Sequence, residues 1–143
     1  MAEPTRYSWP HSMEEVALLI RNDGRIWDYW SSIDCLAICW AESGGDAFAS
    51  PVVIKPGQPA HLSMDVGLMQ MNTYWQRYMS LSEMLTPQTN ISSAITLALN
   101  GSKLWKPNWS YWNAYNAGAH LKYIKDAREV INNVKLRFKE EPL

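Results

Sequence analysis

The chain has 143 residues, 47% of them apolar and 19% charged, and 13 Lys and Arg against 14 Asp and Glu leave a net charge of −1. This is one domain's worth of chain, long enough to bury a core without a disulfide framework or a metal. The composition excludes a disordered charged tail, the charge balance argues against a phosphate-backbone partner, and no stretch reaches the roughly 18 apolar residues of a membrane span.

In chain order, Met1 to His11 holds no apolar signal-peptide core, so phage-encoded release or a trimmed leader is the expected export route. A first helix is predicted from Ser12 as N-cap to about Arg21, with Glu14 and Glu15 at its positive end and Asn22-Asp23-Gly24 stopping it. Ile26 to Trp30 is a short aromatic segment. Ser31 or Ser32 then caps a stronger helix ending near Ser43, with Ile33, Leu36, Ala37 and Trp40 as its core stripe and Gly44-Gly45 as its stop. In Pro51 to Leu62, a β-branched run precedes Pro56-Gly57, which fits a type II turn. This predicts a small hairpin, with Pro59 keeping its second strand at an edge. After Gly67 the pattern reads as helical again. Thr86-Pro87 opens a long helix to about Trp105, burying Ile91, Ala94, Ile95, Ala98 and Leu99. Trp109 to Asn116 reads as a short helix or turn. A last helix runs from about Ala119 to Lys139, with a stripe of Leu121, Ile124, the stem of Arg128, Ile131, Val134 and Phe138. With no repeat or linker, residues 1–143 read as a single domain, α+β and mostly helical, with one small hairpin.

Charge and aromatics are unevenly placed. Between Trp30 and Leu121 only Asp34, Glu42, Asp46, Lys55, Asp65, Arg77, Glu83, Lys103 and Lys106 are charged, whereas half of the twenty residues from Lys122 to Glu141 are, so the tail reads as a solvated helix. Eight Trp and seven Tyr exceed what a small core needs and also suit stacking surfaces in a wet cleft. Of Trp75, Trp105, Trp109 and Trp112, the first and third stand next to motifs and are the cleft candidates. Cys35 and Cys39 share a helix face in a poor geometry for a mutual disulfide and read as small buried hydrophobes. Met64, Met69, Met71, Met79 and Met84 read as adaptable packing. His11, His61 and His120 are too scattered for a metal site, and no cofactor is expected; His61 can line the cleft mouth.

Glu42 stands in the last turn of its predicted helix, where the negative helix end and burial beside Trp40 both raise a carboxyl pKa. A carboxylic acid kept protonated near neutrality suits general-acid catalysis; the plain alternative is a solvated helix-end glutamate. Around it stand Ala41-Glu42-Ser43-Gly44, then Ser63-Met-Asp-Val-Gly-Leu-Met-Gln-Met-Asn72 with Trp75, then Asn90-Ile91, then Ala114-Tyr-Asn-Ala-Gly118. This ordered set resembles the lytic transglycosylases of the lysozyme superfamily, and most nearly the small specialised enzymes of secretion and conjugation systems and their phage relatives. Each motif is short, but four in order span about Ile33 to His120.

The resemblance implies a lysozyme-like fold with the hairpin beside an active-site cleft. It makes Glu42 the single acid/base, with Ser43 beside it. Gly67, Leu68, Met69 and Gln70 would line the cleft floor, with Asn72, Trp75 and Trp109 as further substrate-binding candidates. Tyr115 and Asn116 would stand beside the glutamate, with the Tyr hydroxyl orienting it, and Asn90 and Ile91 would be structural. The implied reaction cleaves the MurNAc–GlcNAc β-1,4 bond of peptidoglycan through an oxocarbenium-like transition state. The substrate's own 6-hydroxyl then closes a 1,6-anhydro-MurNAc end. The segment around Asp65 also resembles that of animal C-type lysozymes, where the matching Asp is a second carboxylate. Asp65 therefore reads either as a charged stabiliser across the cleft or as a cap on the turn before Gly67. The alternatives to a transglycosylase are a hydrolytic muramidase using Glu42 and Asp65, or a non-catalytic wall-binding or virion component. The expected partners are peptidoglycan glycan strands, with a secretion-system or phage structural protein for delivery. The chain is expected to be a monomer that acts at the cell wall or periplasm. Near-zero net charge predicts modest affinity for anionic wall polymers.

Overall fold

The computed structural model describes residues 7–50 and 63–143. The hairpin expected in Pro51 to Leu62, His61 and the first six residues lie outside them. Helices dominate: α1 (Met13–Asp23), α2 (Ser31–Ser43), α3 (Leu81–Leu85), α4 (Pro87–Leu99), α5 (Asn113–Asn116) and α6 (Ile124–Arg137), with a 3-10 turn at Leu121–Tyr123. A two-strand antiparallel pair, β1 (Asp65–Val66) and β2 (Met71–Asn72), sets Asp65 opposite Asn72 and Val66 opposite Met71. The result is a mostly helical α+β fold with one small strand pair.

Local chemistry accounts for the helix ends. At α1 the Ser12 hydroxyl accepts from the Glu15 amide while the Glu15 carboxylate accepts from the Ser12 amide, a reciprocal capping box, and Gly24 at φ +82° closes the helix by donating to the Ile20 carbonyl. α3 repeats the box with Ser80 and Glu83. α2 departs from expectation at its start. Trp30 is its N-cap, and Ser31 and Ser32 are buried inside it. Ser31 donates to the Leu104 carbonyl, a tertiary bond, and Ser32 to the Tyr29 carbonyl one turn back, so neither hydroxyl is left to cap. α4 begins at Pro87 as predicted but ends at Leu99, short of Trp105, because Asn100 turns extended and Gly101 takes φ +75°.

α2 is the central helix. Ile33, Cys35, Leu36, Ala37, Ile38 and Cys39 are all fully buried, and α1, α5, the 3-10 turn and α6 pack around them. Both thiols are free, and burial pushes them up, Cys39 to about 12. The core continues through Ile20, Ile91, Ile95, Ile131 and Val134, and the five methionines read as packing are all buried.

α6 buries Ile131 and Val134 of the expected stripe and packs Ile124 partly against the core, but not the other members. Ala127, Ile131, Val134 and Lys135 are buried, while Leu121, Arg128 and Phe138 are exposed. The expected stripe crossed the 3-10 turn before Ile124, which breaks the 3.6-residue period. Lys135 is tolerated inside because its ammonium lies 3.2 Å from Asp28 and 4.6 Å from the Trp27 ring centre. The charged tail is thus solvated on one face and docked on the other. No helix among the described residues is long and apolar enough to cross a membrane.

Candidate active site

The strand pair is joined by Gly67-Leu68-Met69-Gln70, so the segment after Gly67 is a tight turn and not the expected helix. Gly67 has φ +83° and Gln70 φ +49°. Three elements clamp this turn. From α4, Asn90 is fully buried; its carbonyl oxygen accepts from the Met69 amide at 2.8 Å, and its amide nitrogen donates to the Val66 and Met84 carbonyls at 3.0 and 2.8 Å. From the segment after α2, the Ala49 carbonyl accepts from both the Gly67 amide and the Gln70 side chain. From the start of α5, the buried Trp112 indole donates to the Met69 carbonyl at 2.7 Å. Asn90 is structural, as expected, and its bonds show how.

Glu42 occupies the last turn of α2, before Gly44 in the left-handed region stops the helix. Its carboxylate is half-buried and accepts from the Ala114 amide at 3.2 Å. That amide belongs to the first turn of α5, where N–H groups lack helical partners. Burial raises the Glu42 pKa most, the Ala114 bond opposes it, and the negative charge of Asp65 adds to the rise. Glu42 thus stays protonated to higher pH than an ordinary glutamate, the state a general acid needs.

A pocket of about 290 Å³ is lined among others by Asp65, Gln70, Asn72, Trp75, Tyr111 and Asn113, and the charge of Asp65 reaches Glu42. Asp65 accepts from the Asn72 side chain at 3.1 Å, across the strand pair, and makes no bond to the turn before Gly67. Asn72 also accepts from the Tyr74 and Trp75 amides, which places the 74%-exposed Trp75 at the rim. A second half-buried carboxyl, Asp34, lies nearer the start of α2; burial raises its pKa and His120 opposes the rise.

Several expected site residues sit elsewhere. The Trp109 side chain is 3% exposed and packs on Trp112, so it belongs to the core and not the cleft; its ring is apolar enough that burial next to a second indole prevails. Leu68 and Met69 are fully buried and belong to the core, with the Met69 backbone bonded to Asn90 and Trp112. The Gln70 amide nitrogen is spent on the Ala49 and Gly67 carbonyls. Ser43 donates to the Cys39 carbonyl and accepts from Gly45, locking the helix end. The Tyr115 hydroxyl makes no bond to Glu42; its ring stacks on His120 at 4.8 Å. Asn116 donates to the Ser110 carbonyl and closes the loop before α5. The group that orients Glu42 is therefore a backbone amide, which no side-chain pattern announces. Trp112, Tyr111 and Asn113 also escaped the motif reading, although they directly precede Ala114-Tyr-Asn-Ala-Gly118. Among the described residues no cluster of His, Cys, Asp or Glu is arranged to hold a metal.

The helical scaffold thus holds a half-buried acid at a helix end within electrostatic reach of Asp65 on the small strand pair. A family of lysozyme-like domains matches residues 33–114, more than half of the chain. The chain belongs to that family, which comprises glycosidases and transglycosylases acting on peptidoglycan. A role at the cell wall or in the periplasm follows from that substrate. No curated protein and no solved structure gives a match.

Proposed function

We propose that the protein is a peptidoglycan lytic transglycosylase with Glu42 as its only acid/base. The observation that carries this reading is the Glu42 carboxyl, half-buried, raised in pKa, tethered to the Ala114 amide and within reach of the Asp65 charge. Glu42 protonates the glycosidic oxygen between MurNAc and GlcNAc as the C1–O bond breaks. Positive charge then builds at C1 and the ring oxygen. The Glu42 carboxylate so formed next takes the proton of the muramyl 6-hydroxyl as that oxygen bonds to C1. The proton returns to Glu42, no water is consumed, and the product carries a 1,6-anhydro end. Trp75 and Tyr111 supply aromatic surface for sugar rings at the rim. Mass spectrometry of sacculi digested with the protein is expected to find anhydromuropeptides; reducing ends alone would overturn the reading.

One observation favours a second reading, hydrolysis. Asp65 lines the same pocket and its charge is felt by Glu42. Asp65→Asn separates the two. In a transglycosylase, the loss of this negative charge lets Glu42 ionise at lower pH. The alkaline limb of the pH–rate profile then moves to lower pH while the maximal rate falls less than about tenfold. In a hydrolase that needs a second carboxylate, the rate itself falls by roughly a hundredfold or more at every pH.

A further inference from the structure

The loop after α4 carries a feature that the cleft does not use. Ser102 donates to the Leu99 carbonyl and Asn108 to the Ala98 carbonyl, which fastens both ends of the loop to the helix. Between them Lys103 and Lys106 pair as an isolated bridge, putting Leu104 and Trp105 at the tip of a tight turn. Trp105 is 63% exposed, and the Lys103 ammonium lies 5.2 Å from its ring centre. Neither lysine has an acidic partner among the described residues. The turn borders a recess of about 650 Å³, lined among others by Ser102, Lys103, Trp105, Lys106 and Asn108. It is held by Ser31, at the opposite end of α2 from Glu42. Eleven residues of helix at 1.5 Å each separate the two by roughly 16 Å.

We propose that this turn is a second binding site, distinct from the cleft, for an acidic saccharide segment of the wall polymer. An exposed indole offers a flat apolar face to a pyranose ring. Two ammoniums three positions apart offer point charges to a carboxylate on the same unit. Ser102 and Asn108 add polar atoms to the wall of the recess. The placement is selective, because residues 30–121 hold only four Lys and Arg, and two of them flank this one tryptophan. An anionic bilayer would use the same residue types but needs a protruding apolar tip. In this turn Trp105 is the only apolar side chain that stands well clear of the surface, and Ser102, Lys103, Lys106 and Asn108 make the recess beside it polar. The net charge of −1 keeps attraction local, in line with the modest affinity expected from composition. The proposal rests on a wall-polymer substrate but not on which reaction Glu42 performs.

The test uses Glu42→Gln protein, so that binding is measured without cleavage. Co-sedimentation with purified sacculi is compared with the same protein carrying Trp105→Ala or Lys103→Gln/Lys106→Gln. Each change is expected to weaken the apparent Kd about five- to tenfold, and the lysine pair to remove most of the salt dependence. With Glu42 restored, turnover of a short soluble MurNAc–GlcNAc oligosaccharide that cannot span the cleft and the turn should be unaffected by either change. Sacculus binding and salt dependence equal to the parent's would overturn the proposal. So would a loss confined to binding of phosphatidylglycerol vesicles, which would assign the turn to a membrane surface. A wild-type protein that leaves sacculi uncut defeats the preceding reading of the reaction but leaves this binding result standing.

Discussion

Glu42→Gln is expected to lower peptidoglycan cleavage by about a thousandfold while leaving the fold intact. General acid–base catalysis by one positioned group contributes roughly 10²- to 10⁴-fold, and here one carboxyl serves as both acid and base. The glutamine keeps a carbonyl oxygen for the Ala114 amide, so the local geometry is retained. The stability effect has a definite sign. Burial raises the folded-state pKa of Glu42, so the favourable, protonated contribution is complete below the unfolded pKa and is lost as pH rises through the folded value. Glutamine cannot ionise and does not suffer that loss. The variant's Tm should therefore match or slightly exceed the wild type's at neutral to alkaline pH, with the gap closing on acidification. Turbidity clearing of sacculi and thermal unfolding at two pH values read both effects. Activity within tenfold of wild type would remove Glu42 from the chemistry.

The largest stability effects are expected at the turn between the strands. A Cβ on Gly67 would press on the Asn90 amide nitrogen and stand 2.5 Å from the Met84 carbonyl oxygen, at a φ of +83°. Gly67→Ala should cost about 2–4 kcal/mol, combining left-handed strain with overpacking. Asn90→Ala leaves the Met69 amide and the Val66 and Met84 carbonyls without their buried partner. At the lower end of the about 1–3 kcal/mol that each orphaned group costs, a total of about 3–5 kcal/mol is expected, which lowers Tm by roughly 10 °C or more. The double variant should lose less than the sum, because truncating the Asn90 side chain clears the space the new Cβ invades. Chemical denaturation of the four proteins measures the cycle. Strict additivity would mean that Gly67 and Asn90 do not share the contact described.

Much of the helical frame was legible. Ser12 with Glu15 and Gly24 bracket α1 as local chemistry demands, and Thr86-Pro87 opens α4. What failed did so where tertiary bonds override local signals. Ser31 looks like a cap in sequence but spends its hydroxyl on Leu104, 73 residues away. Strands of two residues are too short to show an alternation, so the turn at Gly67 read as the start of a helix. Tryptophans carry no local signal of burial: Trp109 and Trp112 are inside, Trp75 and Trp105 outside. In the candidate site, Glu42 and Asp65 were singled out from residue type and motif order. Their neighbours were harder, because the contact on Glu42 comes from an amide that every non-proline residue possesses.

That amide has a consequence for how the protein tolerates change over generations. A tether made by a side chain can be deleted by one codon change. The Ala114 N–H persists through nearly any substitution at that position, as long as the four-residue helix α5 holds its place. Proline alone abolishes the donor. Drift at position 114 is therefore nearly silent, and the vulnerable points lie in the supports, above all Trp112, whose indole pins the start of α5 to the Met69 carbonyl. A variant library across residues 110–120 should be permissive at 114 except to proline and restrictive at 112, the reverse of a search for a conventional orienting side chain.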